Sequence, residues 1–230
     1  MARPITLSTV VPLIAIPGQE SALSAVLASL QPKALEEVET YQWYATRITS
    51  PAPAPPSASN PNTTPSPTPT PTPPSASNST PAPSFIVFDT FPTHSAREAH
   101  FKGDIPKTLI GYGGTLLAGR PEHGKILTEV VGAKVGRVDG RDGRGEGEEQ
   151  GEGDVDLKAG LEVGLKVEFE AREGKEEDVR KFLSDAVSLA RTEQQTISFY
   201  ALHWPGTHKF GIIDFFASEA GRKAHLGGEI

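Results

Sequence analysis

Apolar positions along the chain change period several times, and each change marks an element. Residues 5–16 are mostly apolar and rich in β-branched side chains, the pattern of a strand. Pro12 withholds a ladder N–H and so predicts an edge or a bulge there. Pro17-Gly18 is a turn signal. Leu23, Val26, Leu27 and Leu30 then recur at helical spacing. Pro32 is expected to break or kink this helix near Gln31 and to open a short second helix through Glu37. Residues 41–48 read as a strand with Tyr41, Trp43, Ala45 and Arg47 on one face and Gln42, Tyr44, Thr46 and Ile48 on the other. Both faces are apolar enough to be covered. Another strand spans 85–91, and a helix follows from Thr93 or Ser95, with Ser95 and Glu98 as a capping box. Residues 106–118 are a mixed apolar segment, and 125–135 form a further strand.

The pattern then repeats. Residues 85–105 align without a gap to 210–230, with eight of 21 positions identical, among them Asp89/Asp214, Arg97/Arg222, His100/His225 and Gly103/Gly228. Residues 11–48 align to 167–204 with ten of 38 identical, including Gly18/Gly174, Glu37/Glu193 and Tyr44/Tyr200. Two long copies indicate a duplicated domain rather than a solenoid. The first copy is expected over 1–136, a linker over 137–156, and the second copy over 157–230 without a counterpart of the first copy's last strand.

The copies differ by an insertion at 49–84 that holds 13 of the 21 prolines amid Ser, Thr and Ala. Such a segment cannot bury enough surface to offset its ordering entropy, so it is expected to be extended and mobile. The second copy crosses the same gap with 205–209, so the strands flanking the insertion should still pair. Residues 137–156 are Gly-rich and acidic and read as a second flexible linker.

Composition narrows the function. A net charge of −7 argues against a nucleic-acid partner. No apolar run reaches the roughly 18 residues of a membrane span. The absence of cysteine excludes thiolate metal sites and a cysteine nucleophile and fits a cytoplasmic chain. The histidines lack metal-ligand spacing. Each copy reads β-α-β-β-α, with a further strand in the first. The fold class is therefore α+β: two ferredoxin-like repeats packing sheet to sheet.

The strand-turn-Gly openings (residues 15–20 and 171–176), the Tyr-containing second strands and the aromatic third strands leading to Ala99-His100 and Ala224-His225 resemble the antibiotic biosynthesis monooxygenase family of dimeric α/β barrels. The resemblance implies that the tandem chain pairs with itself as an intramolecular barrel, with a homodimer as a further option. It also implies oxidation of a small phenolic, quinol or anthrone-like substrate by O2 with no cofactor and no metal. In that chemistry a base takes a proton, the substrate anion reduces O2, and a dry pocket suppresses side reactions. His100 and His225 are the expected bases, with Trp43, Tyr44, Tyr200, His203 and Trp204 as pocket residues. Asp89 and Asp214 are expected to bond backbone or an arginine such as Arg97 or Arg222. All three asparagines (Asn60, Asn62, Asn78) fall in the proline-rich insertion, which speaks against the haem-degrading branch of the family. The alternative function is a non-catalytic binding or scaffold barrel.

Overall fold

A computed structural model describes residues 5–49, 84–121, 127–135 and 161–228. In chain order its elements are β1 (Leu7–Leu13), α1 (Glu20–Glu36), β2 (Gln42–Arg47), β3 (Phe85–Phe91), α2 (His94–Phe101), α3 (Asp104–Gly111) and β4 (Leu127–Lys134). Then come β5 (Val163–Glu170), α4 (Glu176–Thr192), β6 (Thr196–His203), β7 (Lys209–Phe216) and α5 (Glu219–Leu226). The expected α+β class and repeated β-α-β-β-α order are both present. The expected proline-rich loop and acidic linker lie outside the described residues.

The strands form one antiparallel sheet in the order β2-β3-β1-β4-β6-β7-β5. The two half-sheets thus face each other and are also joined. Leu127, Thr128 and Glu129 of β4 pair with β1, and Glu129 to Lys134 pair with β6. One strand therefore serves both halves. The strands flanking the insertion pair as expected, Gln42 opposite Thr90 through Arg47 opposite Phe85.

Strand alternation sorts the core into layers. Val11, Leu13, Phe85 and Val87 turn toward α1 and α3, where they meet Leu23, Leu27 and Leu30. Phe199, Ala201 and Phe210 meet α4 in the second half. The alternate residues Val10, Ile86, Phe88, Tyr200, Leu202, Ile213 and Phe215 form a third cluster between the half-sheets. That cluster is the barrel interior.

Local chemistry explains where the elements end. Thr93 and Ser218 cap α2 and α5, accepting from Ala96 N and Gly221 N, both at 3.1 Å. Gly18 and Gly174 lead into α1 and α4 with φ of 85° and 75°, the left-handed region that favours glycine. Pro12 lies within β1, opposite Ile86 of β3. Contrary to expectation, α1 runs through Pro32 unbroken. Pro32 sits in the last turns on the exposed face, while Leu30 and Ala34 are buried on either side. The carbonyl it leaves unbonded can turn to water, and core packing holds the axis. The segment beginning at Pro106 resolves into α3, with Gly103 as cap and Pro106 in the first turn, where a proline is tolerated.

Candidate functional site

Two side-chain constellations stand out, and they lie on opposite faces of the sheet. The first occurs twice. His100 lies on the helix-facing side, its Nδ1 2.5 Å from Glu37 Oε2 and its Nε2 3.3 Å from Asp89 Oδ2. His225 repeats this with Glu193 at 2.7 Å and Asp214 at 3.4 Å. Thr40 Oγ1 donates to Glu37 at 2.6 Å, and Thr196 Oγ1 to Glu193 at 2.5 Å. Phe91 and Phe216 lie against the imidazoles, with ring centroids 5.4 and 5.3 Å away. Each set ties a short helix (α2 or α5) to the end of a long one (α1 or α4) and to a central strand. We call it a clasp.

Both clasp histidines, His100 and His225, are buried. Asp214 first, then Glu193, pushes His225 up to about 9 against the effect of burial. Burial alone would lower His100, but Asp89 and then Glu37 outweigh it and hold it above the ordinary histidine value. Burial pushes Asp89 and Asp214 up, opposed by the adjoining histidine. The imidazolium is thus favoured by folding. Its stabilisation is complete below the free-chain value of 6.5 and is lost as pH rises through about 9. Thermal melts should therefore show a falling midpoint from pH 6.5 to 9, and Asp214→Asn should flatten that fall.

The second constellation is the interior. Tyr44 and Phe215 approach to 4.2 Å between centroids, Phe88 and Tyr200 to 4.8 Å. The Tyr44 and Tyr200 hydroxyls neighbour each other and Ser198. Burial raises both phenols, Tyr200 further because Tyr44 adjoins it, so both stay protonated. The Tyr200 hydroxyl is buried, with Tyr44 and Ser198 as its polar neighbours. Beside these rings the register aligns a polar row across four strands: Gln42 opposite Thr90, Thr90 opposite Ser8, Ser8 opposite Thr128. Thr90 Oγ1 donates to Gln42 Oε1, and the Ser8 and Thr128 hydroxyls bond each other. A cleft of about 520 Å³, lined by His94, Glu129, Val130 and Arg180 among others, opens between the starts of β1 and α2 and strand β4, where Val130 also reaches the interior cluster.

The expected site residues are therefore divided. Tyr44, Tyr200 and Trp204 belong to the interior cluster. Trp43 packs on the helix side, its Nε1 buried without a partner. His203 also faces the helices; Arg180 Nη2 is 3.0 Å from its Nδ1, Glu129 Oε2 is 3.2 Å away, and its Nε2 lies 3.0 Å from Thr207 O. His100 and His225 sit in the clasps. Asp89 and Asp214 meet histidines, which were not foreseen as their partners; the expected Arg97 does act on Asp89 through its charge, whereas Arg222 pairs with Glu219. Sequence reasoning missed the interior polar row. It also matched Glu37 with Glu193 without seeing that they bind His100 and His225. No group of three or more ligating side chains suited to a metal occurs among the described residues.

Two solved structures superpose on nearly the whole chain. One is a proposed monooxygenase from Fusobacterium nucleatum subsp. nucleatum: TM-score 0.65, 9% identity, covering 98% of this chain and 82% of that one. The other is a proposed monooxygenase from Lactobacillus acidophilus: TM-score 0.63, 7% identity, covering 98% and 83%. The likeness is one of fold. A Nitrosomonas europaea protein of unknown function is 28% identical and covers 60% of this chain and 100% of its own, but its TM-score of 0.42 carries no weight. No protein-family model matches the chain, and no curated protein matches its sequence. No helix among the described residues is long and apolar enough to cross a membrane.

Proposed function

We propose that this chain is a cofactor-independent monooxygenase-type barrel that takes a flat phenolic, quinol or anthrone-like ring between its half-sheets for oxidation by O2. One observation carries the reading: two neutral phenols, Tyr44 and Tyr200, lie side by side in an otherwise apolar cluster. A substrate oxyanion would accept from them. Hydrogen bonds to the anion favour ionisation of the ring, so the two donors promote loss of its proton to solvent as the ring enters. For an anthrone-like ring the carbanion passes one electron to O2, and the radical pair joins as a peroxide anion, which takes a proton back to become the hydroperoxide. Loss of water then leaves a new carbonyl. One oxygen atom enters the product and the other departs as water. In this reading His100 and His225 position the helices behind the site, because each is already held between two carboxylates.

Oxygen uptake with a panel of quinols and anthrones tests the proposal. The native chain should consume O2 above buffer. Tyr200→Phe should reduce the rate about tenfold, the worth of one hydrogen bond to a charged group, with Tyr44→Phe smaller. A native chain that consumes nothing would sink the oxidation. The second reading, a binding or scaffold barrel, draws on the close packing of Tyr44 against Phe215. It would be supported if the same rings raised the melting temperature without being turned over.

A further inference from the structure

Asp89 stands at the centre of a polar row that only the first repeat carries. It lies opposite Thr9 of β1 and Trp43 of β2, on the helix-facing side of the sheet. Three atoms of this row, Thr9 Oγ1, Asp89 Oδ1 and Trp43 Nε1, are buried with no hydrogen-bond partner among the described residues. A buried donor or acceptor left unpaired is costly, and folded chains nearly always pair them. The second repeat has removed the donors. Asp214 lies opposite Leu165 of β5 and Phe199 of β6, and neither side chain forms hydrogen bonds. Both carboxylates nevertheless keep their histidine, at 3.3 Å for Asp89 and 3.4 Å for Asp214. The clasp itself therefore does not require a threonine or an indole beside the aspartate.

A small hollow adjoins the row. Its volume is about 10 Å³; Trp43, Asp89 and His100 line it, and Ile105, Pro106 and Leu109 of α3 roof it. That is the room one water molecule needs. A wholly apolar hollow stays dry, whereas one bounded by a donor and an acceptor can hold water. We propose that this hollow is a binding site for a single water molecule, which accepts from Trp43 Nε1 and donates to Asp89 Oδ1. The water ties β2 to the first clasp, and the indole of Trp43 is there to hold it. His100 is not one of its partners, because Glu37 and Asp89 Oδ2 take the two ring nitrogens. Thr9 flanks the carboxylate from its other side, outside the hollow. The second repeat holds no such water, since Asp214 has no polar neighbour across the strands to share one. The site lies on the helix side of the sheet and is independent of any ring bound between the half-sheets.

The test uses the full chain labelled with nitrogen-15. It has two tryptophans, Trp43 and Trp204, so two indole N–H signals, which Trp43→Phe assigns. In a rotating-frame Overhauser experiment the Trp43 signal should give a cross-peak to water of opposite sign to the diagonal. That sign marks direct contact, whereas proton exchange with solvent gives the same sign as the diagonal. The absence of an opposite-sign peak would overturn the proposal. High-resolution crystals of the native chain and of Trp43→Phe supply a second reading. Density for one water within hydrogen-bond distance of both Trp43 Nε1 and Asp89 Oδ1 is expected in the native chain and is expected to be lost in the variant. A direct bond from Trp43 to Asp89, a water that persists unchanged in Trp43→Phe, or an equal water beside Asp214 would each overturn the proposal.

Discussion

Replacing His225 with alanine should destabilise the fold by about 3 kcal/mol, the usual result of removing one partner from a buried ion pair. The reason is what remains. Asp214 is 1% exposed, and Glu193 would then face it with no cation between them. Two carboxylates left together repel, and neither can turn to water without opening the helix–strand contact. In a chain of this size the melting temperature should fall by roughly 10 °C. His100→Ala should behave the same way, because Glu37 and Asp89 hold that imidazole in matched geometry. A double substitution, His225→Ala with Glu193→Gln, should recover part of the loss, since it removes one of the two stranded charges and so their repulsion. Calorimetry of the three variants beside the native chain measures this. A change below about 0.5 kcal/mol would show that the clasp is ornamental.

Phe88→Ala should cost about 4 kcal/mol, within the range for truncating a buried phenylalanine. Phe88 is 1% exposed and lies near Tyr200, Phe215 and Tyr44 at 4.8, 6.2 and 6.4 Å. Its removal opens an apolar hollow between the half-sheets, bordered by the two phenols. Such a hollow stays dry and accepts a ring of benzene size. Toluene or phenol should therefore restore part of the melting temperature that Phe88→Ala loses. If phenol restores more than toluene, the interior hydroxyls can hold a ring oxygen. Equal recovery would show that the cavity accepts only shape.

The architecture was legible because it was written twice. Residues that a single copy would leave ambiguous, such as Gly18 and His100, gained meaning from Gly174 and His225. Ser218 was recognisable as a cap, and the pairing of β2 with β3 followed from the short connection at 205–209. The errors have physical causes. Proline costs most where a helix has nothing else to hold it, but Leu30 and Ala34 anchor α1 on either side of Pro32. The partners of the clasp histidines were invisible because Glu37 and His100 are far apart in the chain and meet only once α1 and α2 have packed. The polar row Gln42–Thr90–Ser8–Thr128 depends on the register of four strands, which the pattern of one strand cannot reveal. The division of Trp43 from Tyr44 was foreseen by alternation, but which face was lumen and which was helix was not.

The shared strand β4 has a consequence for how this molecule comes apart. Its first residues belong to the ladder of one repeat and its last to the ladder of the other, with a register shift between Val130 and Gly132. Neither repeat can melt without stripping hydrogen bonds from its sibling. Denaturation should accordingly be one cooperative event, and the halves stand or fall as a single thermodynamic unit.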